Sequence, residues 1–260
     1  TPDPADPPAN YALDAKPVTF FSRDHLPLCG WWITPDTPTG RTLVIVHGHN
    51  GSLDGDTEQA AALVRQGFNV LLFNLRAHGT SAGRHVTFGA REYLDVLGAL
   101  DWLQATHGIA SVGLVGFSMG AGVALRTAAL DRRVAAVVAD GTISRVVDGL
   151  IGMGRTRNIP AGAIWPFAAA ILLTSSLRAG VWIPAADPIR WVAQVTRPVL
   201  FIHGTDDPFN TTAGAGRLAV RVNRGQLWLV PGAGHRDAYQ HDPDAYYSRV
   251  GGFLRGVLRG

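Results

Sequence analysis

Short apolar runs alternate with longer amphipathic segments along most of the chain. The run TLVIVH at residues 42–47 is apolar almost throughout, which is typical of a strand covered on both faces. Further strands are predicted at 18–22, 28–34, 68–74, 111–116, 134–140, 198–203 and 226–230. Helices are predicted between them at 57–66, 90–106, 119–130, 212–222 and 243–258. This alternation predicts an α/β fold with a mostly parallel central sheet and helices on both faces.

One stretch, residues 141–191, interrupts the alternation because it contains no clear strand. A structureless loop of that length is unusual in a compact domain, so a helical insertion is predicted there. We expect it to form a cap over the site, with ordinary core helices as the alternative. Residues 1–17 are rich in proline and predict a linker or extended arm. This leaves residues 18–260 as one domain with a cap insertion.

Composition narrows the classes of function. Apolar residues make up 47% of the chain and charged residues 17%, which is typical of a globular protein. The 23 basic residues are scattered among 20 acidic ones, and this argues against a nucleic-acid-binding surface. The one cysteine, Cys29, excludes an intrachain disulfide and a cysteine-rich metal site.

The chain begins with Thr1, and we hypothesise that a signal or anchor segment precedes it. Association with a membrane is expected only through such a segment. A cytoplasmic and an extracytoplasmic location both stay open, as does the oligomeric state.

The motif Gly-Phe-Ser-Met-Gly at residues 116–120 carries the first indication of chemistry. Because glycine is common here, the motif is informative mainly through its context, between an apolar run and a helical segment. Such a turn exposes the hydroxyl of Ser118, and Gly116 and Gly120 let the neighbouring backbone approach closely. Ser118 is therefore the candidate nucleophile.

A serine hydroxyl needs a base, and the base needs a carboxylate that orients it. His235 follows the last predicted strand in the loop Pro-Gly-Ala-Gly-His and is the candidate base. Asp206 and Asp207 follow the strand before it and are the candidate acids. Two backbone N–H groups are expected to hold the developing oxyanion, those of Met119 and of His49 in the loop 47–51.

Four motifs in this order resemble those of the α/β-hydrolases: HGHNG at 47–51, GFSMG at 116–120, HGTDD at 203–207 and GAGH at 232–235. The resemblance covers about residues 18–258 and implies a Ser-Asp-His catalytic triad. It also assigns the acid to Asp207, with Asp206 as the fallback. The segment NLRAHGTS at 74–81 departs from the family pattern at Asn74 and Ala77, and we interpret it as structural. His47 and His203 then shape strand ends, so no metal site is predicted, and no cofactor is expected.

The resemblance is to bacterial esterases in particular and implies hydrolysis of a carboxylic ester, a small molecule, through an acyl-enzyme. The apolar cap predicts a lipophilic acyl or alcohol group, and Trp165 and Trp182 are the candidate substrate contacts within it. A peptidase, thioesterase or acyltransferase on the same triad is the first alternative. A catalytically silent binding module is the second.

Overall fold

The computed structural model describes residues 6–259. Within this range the protein is built on one sheet of eight strands. They are β1 (Ala15–Phe21), β2 (Pro27–Ile33), β3 (Thr42–Val46), β4 (Asn69–Phe73), β5 (Val112–Phe117), β6 (Val134–Asp140), β7 (Val199–Gly204) and β8 (Gly225–Val230). Their order in the sheet is β1-β2-β4-β3-β5-β6-β7-β8. Strands β3 to β8 run parallel, while β2 pairs antiparallel with β4 and β1 antiparallel with β2.

The helices of the described residues follow the strands. They are α1 (Thr57–Val64), α2 (Glu92–His107), α3 (Met119–Leu130), α4 (Val146–Arg155), α5 (Ala161–Ala179), α6 (Pro188–Trp191), α7 (Thr212–Ala219), α8 (Ala238–His241) and α9 (Pro243–Val257). Short 3₁₀ turns lie at Pro8–Tyr11, Asp54–Asp56, Ile183–Ala186 and Val192–Gln194.

Two apolar cores lie on opposite faces of the sheet. In β3, Val44 and Val46 belong to one core, and Leu43 and Ile45 belong to the other. Successive side chains of a strand point to opposite faces, so an entirely apolar strand serves both cores. Helices α2, α3 and α7 cover the first core, and α1 and α9 cover the second. The predicted mostly parallel α/β architecture is thereby confirmed.

Residues 141–191 contain helices α4, α5 and α6 and, in the structure, no strand. We call this stretch the cap segment. Helices α4 and α5 pack against each other, and a small third core joins Val146, Leu172 and Ile183.

The last three residues of the N-terminal arm predicted at 1–17 belong to a strand in the structure. Strand β1 begins at Ala15, and Pro17 pairs with Trp31 within it. Strand β1 is at the edge of the sheet, where proline is tolerated because one side of the strand needs no ladder partner. The first five residues of the predicted arm lie outside the described residues.

Arg76 anchors the loop at 74–81 through two ion pairs. Its guanidinium lies 2.7 Å from a carboxylate oxygen of Asp95 and 2.6 Å from one of Asp24. The side chains of Arg76 and Asp95 are 4% and 0% exposed. A buried carboxylate that loses its cation keeps the full cost of burial. The loop therefore depends on this pair.

We expect Arg76→Met to lower the free energy of unfolding by about 3–5 kcal/mol, because it leaves Asp95 buried without its partner. Urea unfolding followed by circular dichroism measures this change. Arg23→Met is the matched control, since Arg23 and Asp101 are 42% and 45% exposed and such pairs contribute about 1 kcal/mol or less. Equal losses in the two variants would contradict a special role for the buried pair.

Candidate active site

Ser118 lies at the sharp turn between β5 and α3. Its backbone angles are φ 52° and ψ −114°, a strained conformation for a residue with a side chain. Its N–H donates to the carbonyl of Asp140 on the neighbouring strand at 2.8 Å, which holds the turn in place. A Cβ on Gly120 would lie 2.0 Å from the carbonyl oxygen of Val46, and one on Gly116 would lie 2.5 Å from that of Gly120. The turn therefore requires both glycines.

The structure brings together the three side chains that the sequence proposed for the triad. The Nε2 atom of His235 lies 2.8 Å from the hydroxyl oxygen of Ser118. Its Nδ1 atom lies 2.8 Å from a carboxylate oxygen of Asp207. With the proton on Nδ1, His235 donates to Asp207 and can accept the hydroxyl proton of Ser118.

Asp207 is held by its own loop. Its other carboxylate oxygen accepts the backbone N–H groups of Phe209 at 2.7 Å and of Asn210 at 3.2 Å. Its side chain is fully buried, whereas Asp206 is exposed to solvent. Of the two candidate acids, Asp207 is thus the one in contact with His235.

The loop after β3 contains the candidate oxyanion donor His49. It is shaped by His47, whose Nε2 accepts the backbone N–H of Leu75 at 2.9 Å and whose Nδ1 donates to the carbonyl of Gly48 at 2.8 Å. Burial lowers the pKa of His47 to about 3, so its ring stays neutral near pH 7 and keeps these two hydrogen bonds. His49 and Met119 both line the cavity above Ser118, and Met119 begins α3, where the first amides lack a partner within the helix.

A cavity of about 460 Å³ opens above Ser118 and His235. The cap segment supplies much of its apolar wall, through Ile143, Val146, Leu150, Met153 and Ile171. Such a wall favours an apolar group next to the hydroxyl of Ser118.

The two predicted substrate contacts in the cap lie elsewhere. Trp165 and Trp182 are 58% and 55% exposed and line a separate groove, together with Arg145, Arg190 and Arg221. A tryptophan in a cap helix can face the cavity or the solvent, depending on the phase of the helix. Ile171, about one and two-thirds turns after Trp165, lines the cavity instead.

Sequence reasoning missed Arg236, which follows His235 directly. Its guanidinium pairs with Asp56 and lies 4.7 Å from the centre of the Phe117 ring. It also lines the cavity, close to Gly48. Asp56 is 180 residues away in the chain, so no local pattern signals the pair.

A second buried group below the site is Asp140, at the end of β6. Its carboxylate accepts the hydroxyl of Tyr246 at 2.7 Å, and both side chains are buried. Burial raises the pKa of Asp140 to about 6, against the opposing effects of Tyr246, Arg236 and His235.

The cap segment begins close to the candidate base. Gly141 has a φ of 62°, and a Cβ placed there would lie 3.2 Å from the Cε1 atom of His235. The chain thus leaves β6 by a left-handed turn directly beside the imidazole.

Among residues 6–259, no group of three or more histidine, cysteine, aspartate or glutamate side chains is arranged to hold a metal ion. Both ring nitrogens of His47 bond to backbone groups, those of Gly48 and Leu75, and Nε2 of His203 bonds to the backbone carbonyl of Asn210.

Comparison with known proteins identifies the fold. A family model for the α/β hydrolase fold matches residues 41–162. The chain is 28% identical to the uncharacterized protein YqkD of Bacillus subtilis over 232 residues, which is 86% of this chain and 74% of that protein. It is also 28% identical to the uncharacterized protein Rv2307c of Mycobacterium tuberculosis over 240 residues, 89% of this chain and 76% of that one.

Among solved structures, the esterase Pf2001 of Pyrococcus furiosus superimposes with a TM-score of 0.81 and 26% identity, covering 97% of this chain and 94% of that one. The chain therefore has the α/β hydrolase fold and is similar in structure to a solved esterase.

The raised pKa of Asp140 predicts a pH dependence of stability. The carboxyl group of Asp140 binds its proton more tightly in the folded protein than in the unfolded chain, where its pKa is near 3.8. Its contribution to the free energy of unfolding is therefore full below about pH 4 and is lost as the pH rises through about 6. We expect the stability of the wild type relative to Asp140→Asn to fall by on the order of 2–3 kcal/mol between pH 4 and pH 7.

Urea unfolding across this pH range measures the difference, since asparagine still accepts the hydrogen bond of Tyr246. Asp206→Asn, at an exposed position, is the control and is expected to follow the wild-type profile. A wild-type advantage over Asp140→Asn that grows with pH would show that the carboxylate is stabilised in its charged form.

Proposed function

We propose that this protein is a serine carboxylesterase that hydrolyses esters with a lipophilic acyl or alcohol group. The observation that carries the proposal is the chain of two 2.8 Å contacts from Ser118 through His235 to Asp207, beneath an apolar cavity. The esterase-like fold supports the same reading.

The proposed reaction follows from this geometry. The hydroxyl oxygen of Ser118 attacks the acyl carbon while Nε2 of His235 takes the hydroxyl proton. Asp207 keeps the ring in the required tautomer and stabilises the imidazolium. The N–H groups of Met119 and His49 hold the oxyanion. His235 then protonates the leaving alcohol, and water attacks the acyl-enzyme with the same base.

A comparison of two neighbouring carboxylates tests this assignment. We expect Asp207→Asn to lower kcat for p-nitrophenyl butyrate by about 10⁴-fold, because asparagine leaves His235 without its anionic partner and favours the wrong tautomer. Asp206→Asn is the matched control and is expected to keep wild-type kcat within about twofold, since its side chain faces solvent.

Ser118→Ala sets the lower limit of this assay, and it is also expected to abolish labelling by a fluorophosphonate probe, which reacts only with an activated serine. Wild-type turnover in Ser118→Ala would overturn the proposal. Labelling without ester turnover, with faster cleavage of aminoacyl amides or thioesters in a parallel panel, would favour the alternative acyl hydrolases. A wild type that is neither labelled nor active would favour a binding module.

The apolar wall of the cavity predicts a preference for longer acyl chains. Each buried methylene is worth ~0.8 kcal/mol, so kcat/KM is expected to rise about fourfold per methylene until the cavity is filled. Leu150→Trp adds volume at the wall and is expected to lower kcat/KM for the octanoyl ester about tenfold or more, with little effect on the acetyl ester.

A series of p-nitrophenyl esters from acetyl to dodecanoyl measures both effects. Ile151→Trp is the control, because Ile151 follows Leu150 in α4 but lines a different groove on the surface. An equal loss for acetyl and octanoyl esters in Leu150→Trp would argue against an acyl site at this wall.

A further inference from the structure

Helix α5 carries apolar side chains on its outer face as well as its inner one. Its inner stripe, which includes Ile164, Ala168 and Leu172, is buried. On the opposite side, Phe167 and Leu177 are 71% and 73% exposed. Four further residues on this side of the helix are exposed, Pro166, Ala170, Leu173 and Thr174. Thr174 is the one polar residue among these outward positions, and its hydroxyl donates to backbone carbonyls of the helix.

An outer face of this kind is unusual, because a surface helix of a soluble domain ordinarily presents polar side chains to water. Contiguous exposed apolar surface of this kind marks a site of interaction. Among the described residues, 162–179 is the one helix long and apolar enough to cross a membrane. Leu172 of its inner stripe, however, packs with Val146 and Ile183 in the third core. The helix is therefore suited to lie on an apolar surface rather than to leave the fold.

Two exposed tryptophans flank this face. Trp165 and Trp182 line a groove beside α5 that also contains three arginines, Arg145, Arg190 and Arg221. The acid in this groove, Asp187, is nearly buried and accepts the backbone N–H of Val146. Tryptophan rings are enriched at the boundary between hydrocarbon and head groups, where arginines contact lipid phosphates.

The charges around the face are of one sign. Residues 149–186 contain no aspartate or glutamate, and the arginines in this stretch, Arg155, Arg157 and Arg178, are all exposed. The acids at its two ends are Asp148 and Asp187. A symmetric contact with a second copy would bring these cations together, which disfavours self-association. An anionic lipid surface matches both the apolar face and the surrounding charge.

We propose that the outer face of α5 docks onto the surface of an anionic phospholipid bilayer. Phe167, Leu173 and Leu177 enter the apolar boundary, Trp165 and Trp182 lie at head-group depth, and the surrounding arginines contact phosphates. This route to a membrane uses residues of the cap segment itself. Ile171 on the same helix lines the cavity, so the docked face adjoins the proposed acyl site.

Flotation with large unilamellar vesicles tests the proposal. The wild-type protein is expected to bind vesicles of phosphatidylcholine with 30% phosphatidylglycerol at physiological salt, and to bind pure phosphatidylcholine vesicles far more weakly. The double variant Phe167→Glu/Leu177→Glu is expected to lose at least tenfold in partitioning to anionic vesicles. A triple variant is expected to lose partitioning to anionic vesicles by about fivefold for each arginine replaced; it combines Arg155→Gln, Arg157→Gln and Arg178→Gln. At high salt this difference from the wild type is expected to disappear.

The matched control is Phe21→Glu/Val220→Glu, which changes a phenylalanine and an aliphatic residue that are 62% and 84% exposed outside the cap. It is expected to bind vesicles as the wild type does. All variants are checked for an unchanged melting temperature and for unchanged fluorophosphonate labelling in solution. Labelling depends on Ser118 and not on lipid, so a failure of the proposed esterase function is seen separately.

Three results would overturn the proposal. The first is a wild type that does not bind anionic vesicles, and the second is equal loss of binding in the cap and control variants. The third is a dimer in sedimentation velocity that Phe167→Glu/Leu177→Glu converts to a monomer, since the face would then be occupied by a second copy.

Discussion

The close approach of the helix α3 backbone to strands β3 and β5 is the constraint on which the rest of the site depends. A side chain at Gly120 would overlap the carbonyl of Val46, and one at Gly116 would overlap the first turn of the helix. This close approach lets the chain pass from β5 to α3 through the single residue Ser118, which adopts a positive φ there. The strain, about 1–3 kcal/mol for such a conformation, is balanced by packing on both faces of the sheet.

Around that turn, each of two buried carboxyl groups has a partner, a guanidinium for one and a hydroxyl for the other. Arg236 offsets Asp56 at one side of the site, and Tyr246 satisfies Asp140 beneath it. Removing either partner of such a pair leaves a desolvated group without compensation. The imidazole of His235 therefore lies among side chains that are held by buried partners, which limits how far the ring and its neighbours can rearrange.

Much of the fold could be predicted because it depends on local patterns. Helix α3 was predicted at 119–130, the bounds observed, since a glycine-flanked serine separates it from an apolar strand. The start of β1 does not follow from the sequence, because the proline-rich residues predict a linker although an edge strand tolerates proline. In the cap, the presence of helices followed from length and composition.

The parts of the site that could not be predicted depend on long-range geometry. The pairing of Arg236 with Asp56 joins positions far apart in the chain, and only the sheet order brings them together. The orientation of Trp165 depended on the phase of a helix that is apolar on both faces, so hydrophobicity alone could not distinguish cavity from solvent. The positions of Ser118, His235 and Asp207 were accessible because each follows the carboxyl end of a parallel strand.

The left-handed turn at Gly141 has a consequence for how the cap can diversify. A side chain at Gly141 would press on the ring of His235 and would also be strained by the positive φ, so this position favours glycine. Farther along, the cap rests on a small core of its own and lines the cavity with aliphatic groups. Changes in cap length and sequence therefore disturb the imidazole less from α4 onwards than at the junction itself.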